Sequence, residues 1–132
     1  MAGRPSSRLD RPVSEIMTSP VVTVLFSDPV IAAVSKMVTH DIGAVVVMSA
    51  GEPAGIITER DVLERVVLED RNPRTTTCQE VMSKPLITVT PDTPMTKALE
   101  MMRKHGIRRL PVVRGRALVG IVTEKDIIRK LL

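Results

Sequence analysis

The 132-residue chain contains neither tryptophan nor tyrosine, and Phe26 is its one aromatic side chain. Proteins that hold single-stranded nucleic acid stack bases on aromatic rings, a grip closed to this sequence. Any purine bound here must lie between aliphatic side chains. Cysteine is equally scarce. Cys78 stands alone, which excludes a disulfide framework within the chain and a cysteine-based metal site. As a nucleophile it lacks a supporting base, and it reads as a buried or linker thiol. His40 and His105 are the two histidines, and neither is accompanied by a ligand-spaced cluster of His, Cys or carboxylates. The sequence has no glycine-rich phosphate loop and no nucleophile with a partnered base, so hydrolase or transferase chemistry is not expected. No apolar run approaches the roughly 20 residues of a membrane-spanning helix. Met1 to Pro12 carries Arg4, Arg8 and Arg11 without the apolar stretch of a secretion signal. That segment reads as a flexible basic tail, and the cytoplasm is the expected compartment.

What the chain does have is itself, twice. An ungapped offset of about 65 residues superimposes Val13 onward on Cys78 onward, the mark of a duplicated unit. Gly55-Ile56-Ile57-Thr58-Glu59-Arg60-Asp61 falls on Gly120-Ile121-Val122-Thr123-Glu124-Lys125-Asp126, and Pro20, Pro29, Met37, His40 and Ile42 fall on Pro85, Pro94, Met102, His105 and Ile107. Residues 13–67 form repeat one, 68–77 a linker and 78–132 repeat two. A repeat of about 55 residues buries too little surface alone, so a single module with a shared core is expected. Two halves this alike imply a pseudo-twofold axis, with any cleft between them occurring twice. Charge breaks the symmetry: repeat one has three basic and seven acidic side chains, net −4, whereas repeat two has eleven and five, net +6.

Each repeat reads as an extended piece, a helix, two strands and a second helix. The extended pieces are Val21 to Leu25 and Leu86 to Thr90. Asp28-Pro29 and Thr93-Pro94 place a capping residue before a proline at the first helical position. Behind them Val30, Ala33, Val34 and Met37 match Met95, Ala98, Leu99 and Met102, a buried stripe at helical spacing. Gly106 supplies a left-handed helix stop, and Asp41 holds that place in repeat one. Strands follow over Ala44 to Met48 and Leu110 to Val113, then Ala54 to Ile57 and Ala117 to Val122. Their continuous β-branched residues imply sheets covered on both faces. Final helices run Glu59 to Val67 and Glu124 to Leu132, and Glu69 to Thr77 reads as a polar linker.

Thr58-Glu59-Arg60-Asp61 and Thr123-Glu124-Lys125-Asp126 admit two readings. One is a capping box, with Thr accepting a backbone N–H and Asp reaching back. The other is a binding site, in which a helix start after a buried strand offers N–H groups to an anion and an aspartate accepts the hydroxyls of a ribose. The residues alone leave both open.

The pattern Gly-hydrophobic-hydrophobic-Thr-x-x-Asp, preceded by Gly106-Ile107-Arg108-Arg109-Leu110-Pro111-Val112-Val113 and by Lys84-Pro85-Leu86-Ile87-Thr88-Val89, resembles the cystathionine-β-synthase (CBS) domain. Two in tandem resemble a Bateman module. The resemblance spans Val13 to Leu132 and implies an α+β fold, two pseudo-twofold-related β-α-β-β-α repeats packed sheet to sheet into one module. It further implies a regulatory sensor rather than an enzyme, binding AMP, ADP, ATP or S-adenosylmethionine in the clefts between repeats. Carried over residue by residue, one cleft would join Thr58, Arg60 and Asp61 to Pro85, Leu86, Ile107, Arg108 and Arg109. The other would join Thr123, Lys125 and Asp126 to Pro20, Val21, Ile42, Gly43 and Ala44. The aspartates would hold ribose, the threonines phosphate or ribose, and the apolar residues adenine.

Repeat two has Arg108-Arg109 where repeat one has Gly43-Ala44. A guanidinium pair can fork onto phosphate oxygens, so the Asp61 cleft is expected to be the stronger site, for a phosphorylated nucleotide, and the Asp126 cleft the weaker. The resemblance also implies a homodimer, and with no effector domain attached a separate effector protein is expected. Two readings compete with ligand binding. The basic face around Arg103, Lys104, Arg108, Arg109, Arg114 and Arg116 favours nucleic acid, against which stand the missing aromatics and the lack of a reading element. The other is a ligand-free dimerisation or interaction module.

Overall fold

Short β-branched runs between glycine-bearing turns become paired strands, and stripes at helical spacing become helices laid on them. The computed structural model describes residues 10–131; most of the N-terminal tail and Leu132 lie outside the described residues. The chain divides into two compact units. One runs Val21–Leu86, and the other joins the N-terminal segment through Pro20 to the chain from Ile87 onward.

In the Val21–Leu86 unit, β1 (Thr23–Leu25) pairs in parallel with β2 (Ala44–Ser49), which pairs antiparallel with β3 (Glu52–Thr58). Between β1 and β2 lies α1 (Val30–His40). After β3 come α2 (Glu59–Val62), a π-helical turn over Leu63–Val67, and α3 (Cys78–Val81). In the second unit a 3-10 turn over Val13–Glu15 precedes α4 (Met95–His105), β4 (Arg109–Arg114), β5 (Ala117–Thr123) and α5 (Glu124–Leu131). β4 and β5 form an antiparallel pair, and Val89 adds a single parallel bridge to Val112. The extended piece expected over Leu86 to Thr90 is thus one bridge rather than a strand.

The helix stops are as the residues require. Asp41 and Gly106 both take the left-handed conformation, at φ 52° and 64°, where glycine pays no Cβ penalty and aspartate little. The helix starts differ from expectation by one residue. Pro29 and Pro94 are themselves the N-caps, with ψ near 147° and no side-chain cap. Asp28 and Thr93 turn back instead, accepting the N–H of Leu25 and of Thr90. The helix donors that a cap would satisfy go to main-chain carbonyls: Val30 N–H to Thr76 O and Ile31 N–H to Pro73 O, and in the second unit Met95 N–H to Arg11 O. The segment expected as a free polar linker is therefore pinned along the start of α1, and Thr76 is buried.

Buried residues form two clusters, one per unit. Val24, Val30, Ala33, Val45, Val47, Ile57 and Val66 pack with Cys78, Val81 and Met82. Val89, Met95, Ala98, Met102, Leu110, Val112, Val122 and Ile127 pack with Val13. Each cluster is closed by the segment that leads into the other repeat. That segment supplies apolar area which a repeat of this length lacks by itself.

Glycine at the head of the duplicated motif permits this closure. A Cβ on Gly55 would lie 2.6 Å from Met82 Sδ and 2.9 Å from Ser83 O, and one on Gly120 would lie 2.5 Å from Met17 Sδ. Ser83 bridges to Ile56 and Thr18 to Ile121, so the leading segments lie against β3 and β5 directly beside the glycines.

Candidate functional site

Thr58 ends β3 in extended conformation and caps α2. Its Oγ1 accepts the Asp61 N–H at 3.2 Å, and Asp61 Oδ2 accepts the Thr58 N–H at 2.9 Å and the Thr58 hydroxyl at 3.1 Å. This is a complete capping box, with Asp in the place usually held by Glu or Gln. Thr123 and Asp126 repeat it: Oδ2 accepts the Thr123 N–H at 3.0 Å and Thr123 Oγ1 accepts the Asp126 N–H at 3.1 Å. The capping function is therefore real at both motifs.

The two carboxylates nevertheless sit in different surroundings. Asp61 is 8% exposed, and its Oδ1 accepts the Ser83 hydroxyl at 2.9 Å. Asp126 is half-buried, and Thr18, which matches Ser83 in the repeat, is exposed. Among the described residues no side chain donates to Asp126 Oδ1. Ser83 carried no signal in the sequence, because its partner lies 22 residues away and the contact depends on how α3 leaves the core.

Within the Val21–Leu86 unit the structure brings Gly43 and Ala44 to the same helix start as Thr58 and Asp61. Gly43 O accepts the Glu59 N–H at 3.0 Å, and Ala44 pairs with Thr58 in the sheet. Ile42 packs against the core below, and Val21 opens the unit. Pro85 is exposed and Leu86 half-buried at its other end, and Arg60 is exposed and ion-paired with Glu64. In the second unit Arg108 O accepts the Glu124 N–H at 2.8 Å, and Arg109 pairs with Thr123 in the sheet. Ile107 is half-buried there, while Arg108, Lys125 and Pro20 are exposed. Ile107, Arg108 and Glu124 line an open cavity of about 440 Å³ with Leu99, Met102, Arg103 and Gly106. Its lining combines the apolar Leu99, Met102 and Ile107 with two arginines, Arg103 and Arg108, and one carboxylate, Glu124. The arginine pair belongs to the unit that carries Asp126, and Asp61 belongs to the other.

Burial pushes the Cys78 thiol up to about 11, with the nearby Asp28 carboxylate adding to the effect. The thiol is neutral at physiological pH and is a core group rather than a reactive one. His40 and His105 sit in the last turns of α1 and α4, at the negative ends of the helix dipoles. Among the described residues no group of three or more His, Cys, Asp or Glu is placed to hold a metal ion. No described helix is long and apolar enough to cross a membrane.

Comparison with known proteins places this geometry. The CBS domain profile matches residues 13–68 and again 78–132, and the chain belongs to the CBS domain family. It is 38% identical over 107 residues to the mitochondrial CBS domain-containing protein CBSX3 of Arabidopsis thaliana, covering 77% of this chain and 52% of that one. Protein MK0525 of Methanopyrus kandleri is 40% identical over 119 residues, covering 89% and 61%. The chain thus spans less than two thirds of both curated relatives. Among solved structures, a signal-transduction protein with CBS domains from Burkholderia ambifaria MC40-6 matches at a TM-score of 0.85 with 30% identity, covering 92% of this chain and 93% of that one. The CBS domain pair of protein MJ0100, solved in complex with 5′-methylthioadenosine and S-adenosyl-L-methionine, matches at 0.80 with 30% identity, covering 89% and 93%. The α+β fold of a CBS domain pair is thereby established, and with it a module of regulatory type.

Proposed function

We propose that this chain is a sensor module that binds an adenosine-containing ligand, AMP, ADP, ATP or S-adenosylmethionine, and reports it to an effector. The duplicated Thr-x-x-Asp helix start carries the reading. It sets a carboxylate and a hydroxyl at a capped helix N-terminus twice in one chain, as a diol-bearing ligand requires. The relative solved with methylthioadenosine and S-adenosylmethionine supports the same ligand class. Asp61 and Asp126 hold ribose hydroxyls, Thr58 and Thr123 a phosphate or ribose oxygen, and Arg108 with Arg109 the phosphates. Adenine lies on aliphatic groups such as Leu86, Ile42 and Ile107, since the chain has no ring to stack it on. The reaction class is binding, with no bond made or broken.

Calorimetric titration with the four ligands tests this. A ligand at a hundred times its dissociation constant adds about 2.7 kcal/mol to stability, so a parallel thermal-shift series gives an independent reading. Asp61→Ala and Asp126→Ala each weaken or abolish one binding event, and Arg108→Ala with Arg109→Ala weakens ATP more than a nucleoside. Failure of every ligand to bind at millimolar concentration refutes the reading.

A further inference from the structure

We infer that Ser83 is a specificity-determining residue, a built-in competitor that occupies Asp61 in place of a ribose hydroxyl; this rests on the adenosine-ligand reading above. An ionised carboxylate has about four lone-pair sites. At Asp61 three are filled by the protein itself: Oδ2 takes the Thr58 N–H and hydroxyl, and Oδ1 takes the Ser83 hydroxyl at 2.9 Å. With the residue 8% exposed, a vicinal diol can bind in its usual two-point manner only by displacing Ser83. Thr58 cannot yield so easily, because its N–H bond to the carboxylate is half of the capping box that starts α2. Ser83 makes no such structural use of its hydroxyl, since its main chain is held separately by Ile56 in both directions, at 2.8 and 3.2 Å.

Among the described residues the second repeat has no such competitor. Asp126 is half-buried, Oδ2 alone is engaged by the cap, and the matching Thr18 is exposed. The two aspartates, identical in sequence context, therefore differ in their readiness for a ligand, and Asp126 is the open one. Occupying Asp61 also has a structural consequence that occupying Asp126 has not. It breaks the one side-chain bond from Asp61 to the segment that leaves α3, so the ligand is read out at Ser83 and Lys84.

The test is titration of the 132-residue protein with AMP and with its 2′,3′-dideoxy analogue, for wild type, Ser83→Ala, Ser83→Thr and Thr18→Ala. Removing one competing hydrogen bond is expected to tighten AMP at the Asp61 site by about fivefold to tenfold in Ser83→Ala. The gain is absent for the dideoxy analogue and is lost again in Ser83→Ala with Asp61→Ala. Ser83→Thr, which keeps a hydroxyl, binds as wild type, and Thr18→Ala changes nothing. A role of Ser83 in folding alone would move both ligands equally and would not be relieved by threonine. Unchanged or weaker AMP binding in Ser83→Ala, with wild type still binding, overturns the inference and leaves the adenosine reading intact. No binding to wild type or to any variant overturns both.

Discussion

Gly55 offers the sharpest quantitative test of how the units close. A methyl group there would lie 2.6 Å from Met82 Sδ, 2.9 Å from Met82 Cγ and 2.9 Å from the Ser83 carbonyl oxygen. The first two atoms belong to a side chain that can swing, but the third is main chain. It belongs to a residue paired with Ile56 by two hydrogen bonds. Gly55→Ala must therefore push α3 and its exit off β3, at a cost near the upper end of the roughly 1–3 kcal/mol seen for overpacking. At Gly120 all three close atoms belong to the Met17 side chain, which is half-buried and able to yield. Gly120→Ala is expected to cost about 1 kcal/mol. Urea unfolding followed by far-ultraviolet circular dichroism measures both, tryptophan fluorescence being ruled out by composition. Adding Met17→Ala to Gly120→Ala should restore nearly all the loss beyond that of Met17→Ala alone. Met82→Ala should relieve Gly55→Ala only in part. Equal costs at the two glycines, or double variants additive within about 0.5 kcal/mol, would refute the reasoning.

Two further outcomes follow from titrating groups. Glu80 accepts the Thr77 N–H and hydroxyl and pairs with Arg71, and these bonds hold its carboxyl below the ordinary value of 4.5. A depressed folded-state value gives stability that is present above pH 4.5 and lost as pH falls through the folded-state value; Glu80→Gln should flatten that part of the acid-unfolding profile, and an unchanged profile would contradict the assignment. For Cys78 the sign is opposite: a thiol raised from 9.0 to about 11 stabilises the fold below pH 9, and that contribution disappears between about pH 9 and 11. Cysteine alkylation at pH 8 should accordingly proceed at the rate of unfolding, and modification of the native protein as fast as in urea would exclude the burial.

Much of the fold is legible because its determinants are local. The αL stops at Asp41 and Gly106, the β-branched runs of β2 and β4, and the stripe Val30, Ala33, Met37 each follow from a few neighbouring residues. What escaped notice depends on distant partners. Val13 looks like an unremarkable residue at a repeat boundary, and only the packed unit shows it fully buried; Cys78 reads as a buried or linker thiol, and it is the buried one. A sign of α3 is present in Thr77-x-x-Glu80, whose carboxylate accepts the Thr77 N–H, but the motif straddles the boundary between the polar linker and repeat two. The N-caps were misplaced by one residue because Pro29 and Pro94 find carbonyl partners for α1 and α4 from elsewhere in the chain. At the candidate site, the Thr58–Asp61 pair was visible from spacing. Its difference from Thr123–Asp126 was not, since that difference resides in Ser83 and in burial.

The repeat boundaries and the physical units are out of register by one short segment, so the sequence unit that was duplicated is not the unit that folds. A half-length chain carrying one repeat and its own leading segment would hold the wrong piece to complete itself, unless that piece could be traded with a second copy. Joining two copies in one chain turns such a trade between molecules into an internal one. Each half then depends on its sister for closure, and neither can be lost, exchanged or diverge freely at its leading edge without unseating the other.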